Sequence, residues 1–188
     1  DDHDQVRKYT DKCRFCGDSQ YRDLAFNVMA VQLTTAGIPC IYYGAEQGFD
    51  SGGRPGNSDL VLRENMFGGR FGGLCTQGRH FFNEQSHLYR SLASLAALRR
   101  QLITLRRGSQ VLHRISGDGA NFGHPRRIGG ERIRSLVCWS RIFLDQETLV
   151  VFNTDVSNPV AAWSTVAPML RVDGARLHLI FWHAPKPA

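Results

Sequence analysis

The chain has 188 residues and a formal net charge of +6, with 42% apolar and 21% charged side chains. That composition is ordinary for a globular protein and excludes a disordered chain, a collagen-like repeat and a disulfide-dense miniprotein. No apolar run approaches the ~20 residues of a spanning helix. Basic residues are scattered, and the densest clusters are the pairs Arg99-Arg100, Arg106-Arg107 and Arg126-Arg127. Such pairs do not make the basic stripe that follows a nucleic-acid backbone. Neither a membrane nor a nucleic acid is therefore expected as a partner, and the protein is expected to be soluble.

The chain opens on Asp1, and its methionines are Met29, Met66 and Met169. Asp1 is not a translation start, and no basic region followed by an apolar stretch opens the chain. A piece of a longer or processed protein is expected, and no compartment can be assigned. The cysteines are Cys13, Cys16, Cys40, Cys75 and Cys138, an odd and irregular set that argues against a disulfide framework. Cys13-x-x-Cys16 lacks the second pair of ligands that a zinc site needs, so ordinary thiols are expected.

The first periodic segment lies near 19–36. Leu24, Val28, Val31 and Thr35 fall at i, i+4, i+7 and i+11, the spacing of one helix face. Asp18 or Ser19 can cap its start, and Gly37 and Pro39 stop it. Residues 38–43 read IPCIYY, a short apolar run between glycines. A run apolar on both faces suits a strand of a parallel sheet covered by helices. Residues 44–87 show no sustained period, are rich in glycine and contain five phenylalanines, too aromatic for a disordered linker. A functional loop is expected there.

A second helix follows, with Leu88, Leu92, Leu95, Leu98, Leu102 and Leu105 along one stripe and Arg90, Arg99 and Arg106 away from it. Gly108 closes it. Beyond that point the period changes to that of strands, at 111–115, 134–143, 147–153, 160–166 and 176–182, separated mostly by Gly, Asp, Asn and Pro turns. The predicted organisation is an α/β portion over 1–108 and an antiparallel all-β domain over 109–188.

The densest polar cluster is Asp2-His3-Asp4. At the end of a buried strand, a carboxylate and an imidazole can orient and charge-stabilise a polyhydroxylated ligand. Alone, the cluster reads equally as a solvated chain end. Together with Gly37-Ile-Pro-Cys-Ile-Tyr-Tyr-Gly-Ala-Glu-Gln-Gly-Phe49 and Arg63-Glu-Asn-Met-Phe67, it resembles the C-terminal part of the α-amylase superfamily of glycoside hydrolases. The resemblance covers essentially the whole chain, and the stretch from Gly37 to Phe49 is its most specific part.

The resemblance implies the last portion of a TIM (β/α)8 barrel followed by a C-terminal antiparallel β-sandwich, domain C. Asp4 matches the family carboxylate that stabilises the transition state. His3 matches the histidine that hydrogen-bonds the same sugar. Asp2 stands where the family has asparagine, and its charge beside Asp4 can raise the pKa of one of the two. The stretch from Gly37 matches the sequence that forms and follows the family's eighth barrel strand; Glu46 and Arg63 look like supporting residues behind that strand, and Tyr43 or Tyr42 like sugar-stacking surface, with strand alternation sending one of them into the core.

Retaining hydrolysis needs a nucleophile and an acid/base about 5 Å apart. In the family both come from strands upstream of Asp4. The resemblance thus implies an enzymatic parent whose N-terminal barrel portion is required, and an inactive chain in isolation. The implied substrate is an α-glucan or α-glucoside. No redox cofactor is expected; some relatives bind calcium, but no calcium ligand set is identifiable here. The rival readings are transglycosylation or isomerisation of α-glucosides, and a non-catalytic carbohydrate-binding module.

Overall fold

The computed structural model describes residues 12, 14–17, 24–50, 62–67, 82–124, 136–155, 158–167 and 174–183. The cluster Asp2-His3-Asp4, the proposed caps Asp18 and Ser19, and most of the glycine-rich stretch lie outside them. The described part is mixed α/β, with three helices and two small antiparallel sheets. The helices are α1 (Ala25–Thr34), α2 (His87–Gln101) and α3 (Ile103–Arg107). The strands are β1 (Ser109–Leu112), β2 (Ile115–Ser116), β3 (Leu136–Phe143), β4 (Gln146–Asn153) and β5 (Trp163–Ser164). The chain divides into two compact units, one of residues 1–30, 39–96 and 183–188, the other of 31–38 and 97–182.

Helix α1 has the expected period but a different phase. Its buried side chains are Ala25, Phe26, Met29, Ala30, Leu33 and Thr34, whereas Val31 is exposed. The larger side chains Phe26 and Met29 outweigh the valines in deciding which face turns inward. The helix also stops before Gly37. The hydroxyls of Thr34 and Thr35 both donate back to the Val31 carbonyl, at 3.4 and 2.8 Å. Such back-bonding from β-branched residues competes with helix continuation.

The run 38–43 forms no strand. Ile38 stands 98% exposed, and Cys40 is exposed as well. A strand exists only through a ladder partner, and no described segment pairs with this one. At its end the Tyr43 carbonyl accepts instead from the Arg14 side chain.

In the second unit, the leucine-rich helix is broken at Leu102, whose backbone is extended (φ −88°, ψ 111°). The break lets both Thr104 and Leu105 be buried, and the Thr104 hydroxyl meets that of Thr148 at 2.6 Å. Arg99 is not a solvated outer residue. Its guanidinium donates to the carbonyls of Leu33 (2.6 Å), Leu105 (2.7 Å) and Gly37 (3.1 Å). Buried Arg141 donates to Thr34 (3.0 Å) and Gly108 (2.7 Å). The orphan carbonyls at the α1 C-terminus are thus satisfied by two cations, the sign the helix dipole favours there.

Strands β1, β3 and β4 form one antiparallel sheet in that order, and β2 pairs with β5. The β3–β4 hairpin is in register from Leu136↔Asn153 to Phe143↔Gln146. Ile115, Leu136 and Cys138, with Leu149 against them, make one apolar cluster of this unit. Residues 176–182 form no strand; Leu179 and Trp182 are largely exposed.

Candidate functional site

In the first unit the stretch that follows 38–43 is a tight turn. Gly44 has φ +81°, and Ala45–Gln47 forms one 3₁₀ turn closed by Gly48 at φ +71°. The Phe49 amide returns to the Gly44 carbonyl at 2.9 Å. A Cβ on Gly44 would strike the buried Phe49 ring, so glycine is required by both conformation and space.

Arg14 holds this turn. It is fully buried, and its guanidinium donates to the carbonyls of Tyr43 (2.6 Å) and Leu62 (3.0 Å). The same group lies 4.7 Å from the Tyr42 ring centroid, 5.5 Å from that of Tyr43 and 5.6 Å from that of Phe49. These are cation–π distances. Both tyrosines therefore turn towards one cation, edge to face at 4.7 Å, and the alternation expected of a strand is absent. The Tyr43 hydroxyl donates to the Glu64 carbonyl at 2.7 Å. Burial pushes the Tyr42 phenol up to about 12. Burial also lowers the Arg14 pKa, and the field of Glu64, itself fully buried, opposes that shift. A buried guanidinium stays charged because of such a partner and its accepting carbonyls.

The sequence-predicted supporting residues fall around this cluster with different standing. Tyr43 is part of it and 38% exposed. Glu46 sits on the 3₁₀ turn, half-buried. Arg63 is exposed, and its neighbour Glu64 is the buried one. Asp2, His3 and Asp4 lie outside the described residues. The sequence reading missed Arg14 and Glu64. Arg14 carries no pattern that would single it out. Glu64 carried none either: it stands in the polar run Arg63-Glu64-Asn65, and its burial together with Leu62 and Met66 is seen only in the structure.

The second unit holds a Ser/His/Glu group. His113 Nε2 is 2.7 Å from Ser140 Oγ, the Ser140 hydroxyl donates to Glu147 Oε1, and Thr165 Oγ1 is 3.4 Å from His113 Nδ1. The order of donors decides its chemistry. Ser140 gives its one proton to Glu147, so Oγ must accept the proton of His113 Nε2–H. A nucleophilic serine needs the reverse, an imidazole that accepts and a carboxylate on its other nitrogen. Ser140 is also fully buried. Burial lowers the His113 pKa against the opposing field of Glu147. The imidazole is neutral at neutral pH, and the 3.9 Å approach of Nε2 to Glu147 Oε1 is then no ion pair. The group is a satisfied polar network inside the sheet.

Among the described residues, no group of three or more His, Cys, Asp or Glu side chains is placed to hold a metal ion. No helix among them is long and apolar enough to cross a membrane.

No family model matches the chain. It is similar to a cyclomaltodextrin glucanotransferase of Geobacillus stearothermophilus, with 30% identity over 118 residues, which are 63% of this chain. The match spans only 13% of that enzyme's length. This distant and partial similarity supports a relation to the α-amylase family.

Proposed function

We propose that these residues are the C-terminal part of a retaining α-amylase-type glycoside hydrolase acting on α-glucans or α-glucosides. Residues 1–108 form the end of its (β/α)8 barrel and 109–188 its domain C. The observation that carries the reading is the similarity to a glucanotransferase in a chain that also contains the specific motif from Gly37 to Phe49. Asp4 stabilises the transition state, and His3 and Asp2 bind the sugar. Tyr43, Glu46 and Arg63 shape the wall behind them. Arg14 fixes that wall by tying the Tyr43 and Leu62 carbonyls to one cation. The nucleophile and the acid/base come from the upstream part of the barrel, and domain C is not catalytic.

In such a site a carboxylate on sugar hydroxyls gains strength as positive charge develops at the ring. The upstream pair performs the two displacements, and Asp4 serves both as a fixed counter-charge. Transglycosylation is the second reading, favoured by the name of the similar enzyme, a glucanotransferase. It differs only in the acceptor that takes the glycosyl group from the intermediate.

The test is to supply the protein extended by its upstream sequence with soluble starch and with a nitrophenyl α-glucoside. New reducing ends with retained anomeric configuration are expected for hydrolysis, and lengthened or cyclic products for transfer. Absence of turnover on both substrates, or inverted products, overturns the reading.

A further inference from the structure

β1 and β4 are the outer strands of the three-stranded sheet, and among the described residues neither has a second neighbour. The register decides which backbone groups face outwards. The amide of His113, the residue after β1, donates to the Cys138 carbonyl at 2.8 Å. Bonded residues alternate along an antiparallel pair. Ser109 and Val111 therefore bond to β3, and the N–H and C=O groups of Gln110 and Leu112 face away from it. Across β3 the alternation continues. Gln146, Thr148, Val150 and Phe152 bond to β3, so the backbone groups of Leu149 and Val151 face outwards. Apolar surface accompanies both rows. All four residues of β1 are exposed, and Val151 on β4 is 53% exposed.

Charge is a common guard of such edges. Here the two edges carry opposite signs. Arg106 and Arg107 precede β1 and Arg114 follows it, in a stretch with no acidic residue between Glu84 and Asp118. All three arginines are exposed. β4 stands between Asp145 and Asp155, in a stretch with no lysine or arginine between Arg141 and Arg171. Like edges repel each other. Antiparallel pairing of two β1 strands sets Arg106 and Arg107 of one copy beside Arg114 of the other. Two β4 strands set Asp145 beside Asp155. Pairing β1 with β4 sets opposite signs together at both ends. The register that pairs Gln110 with Val151 and Leu112 with Leu149 matches the outward backbone groups and brings Arg106 to the Asp155 end.

We propose that β1 of one copy of this chain adds to β4 of the next, head to tail, so that the sheet continues from molecule to molecule. Main-chain hydrogen bonds hold the contact, and the charged flanks select the pairing. A ladder of four residues buries less than the ~1,200 Å² of a stable interface, so the association is weak and salt-sensitive. Each added copy still presents one free β1 and one free β4, so growth does not stop at a dimer. The inference is independent of the function proposed above.

Sedimentation velocity of the full chain tests this over concentrations from about 10 µM to 1 mM, the range of weak contacts. The weight-average sedimentation coefficient should rise throughout, without a plateau at the dimer, and less steeply in about 0.5 M salt. Arg106→Glu combined with Arg107→Glu disables β1 and should weaken self-association about tenfold or more. Val151→Pro removes an outward N–H of β4, spares the ladder to β3 and should do the same. Asp145→Lys, at an exposed position, takes its place if the proline unfolds the strand. The β1 and β4 variants keep complementary edges, so their equal mixture should form one-to-one dimers and nothing larger. A further measurement needs no variant. Amide hydrogen exchange at Gln110, Leu112, Leu149 and Val151 should slow as the concentration of the unaltered chain rises. A constant coefficient, growth that ends at a dimer, or association undiminished in either variant overturns the proposal. So does a mixture that stays monomeric or grows past the dimer, or exchange at those four amides that ignores concentration.

Discussion

The guanidinium of Arg14 donates to the carbonyl of Tyr43 at 2.6 Å while facing the ring of the same residue. One cation thus satisfies a backbone acceptor and packs against the aromatic side chain beside it. It also donates to the carbonyl of Leu62, 48 residues away in sequence. Both carbonyls accept from this group, and its buried charge stands in the opposing field of the buried Glu64. Removing one partner of a buried charged pair typically costs ~3–5 kcal/mol. Arg14→Met should therefore lower stability by an amount in that range. Arg14→Lys keeps the charge but loses the planar fork, so an intermediate loss is expected. Urea unfolding of the three proteins checks this order. Equal midpoints for Arg14 and Lys would mean that the fork geometry contributes nothing.

His113 sets a pH dependence. Its pKa is lowered in the folded chain by burial, from an ordinary 6.5. Below that value the unfolded chain takes up a proton that the folded chain resists. Stability is then full above about pH 6.5 and falls as the pH drops towards the folded pKa. His183 adds to the same trend, since burial and the nearby His87 lower its pKa too. The unfolding midpoint should decline between pH 7.5 and 5.5. In His113→Gln the decline should be shallower, with a lower midpoint at pH 7.5 because the bond to Ser140 is altered. An identical slope in both proteins would sink the assignment.

How much of this was legible follows from particular residues. The hairpin of β3 and β4 was readable because both strands carry dense apolar and β-branched residues, although its turn uses Leu144 at φ 53° where a glycine or asparagine would signal it. The helix at 25–34 was readable from its period, but its buried face was not. Counting valines and leucines chose the wrong stripe, because Phe26 and Met29 bury more area. Residues 38–43 and 176–182 read as strands from composition, yet composition cannot supply the ladder partner that makes a strand. Arg14, Arg99 and Arg141 were invisible as structural residues. Their partners are backbone carbonyls, and no sequence pattern marks which carbonyls need a donor.

Gly44→Ala tests the turn that carries the motif. The new Cβ meets the Phe49 ring, and the backbone stays at positive φ. Strain of this kind costs of order 1–3 kcal/mol. Phe49→Leu in the same chain makes room for the methyl group and should recover part of that loss, while the φ penalty remains. Thermal melts of the two single variants and the double variant check the coupling. Strict additivity would mean that the two residues do not meet.

The final prediction concerns Asp4 and Asp2 in the protein extended by its upstream sequence. Asp4→Asn keeps the shape of the side chain and removes its charge. A contact that strengthens at the transition state is typically worth ~3–4 kcal/mol, roughly a hundred- to a thousand-fold in rate. The loss should fall on kcat more than on KM, because the ground state uses the contact less. Asp2→Asn installs the residue that the family resemblance has at that position and should be far milder. Its effect should appear in the pH profile, since removing a like charge beside Asp4 lets that carboxyl ionise at lower pH. The acid limb of kcat should then shift to lower pH in Asp2→Asn. Steady-state kinetics of the two variants over pH decide the matter. If Asp2→Asn proved the more damaging, the roles within the cluster would have to be exchanged.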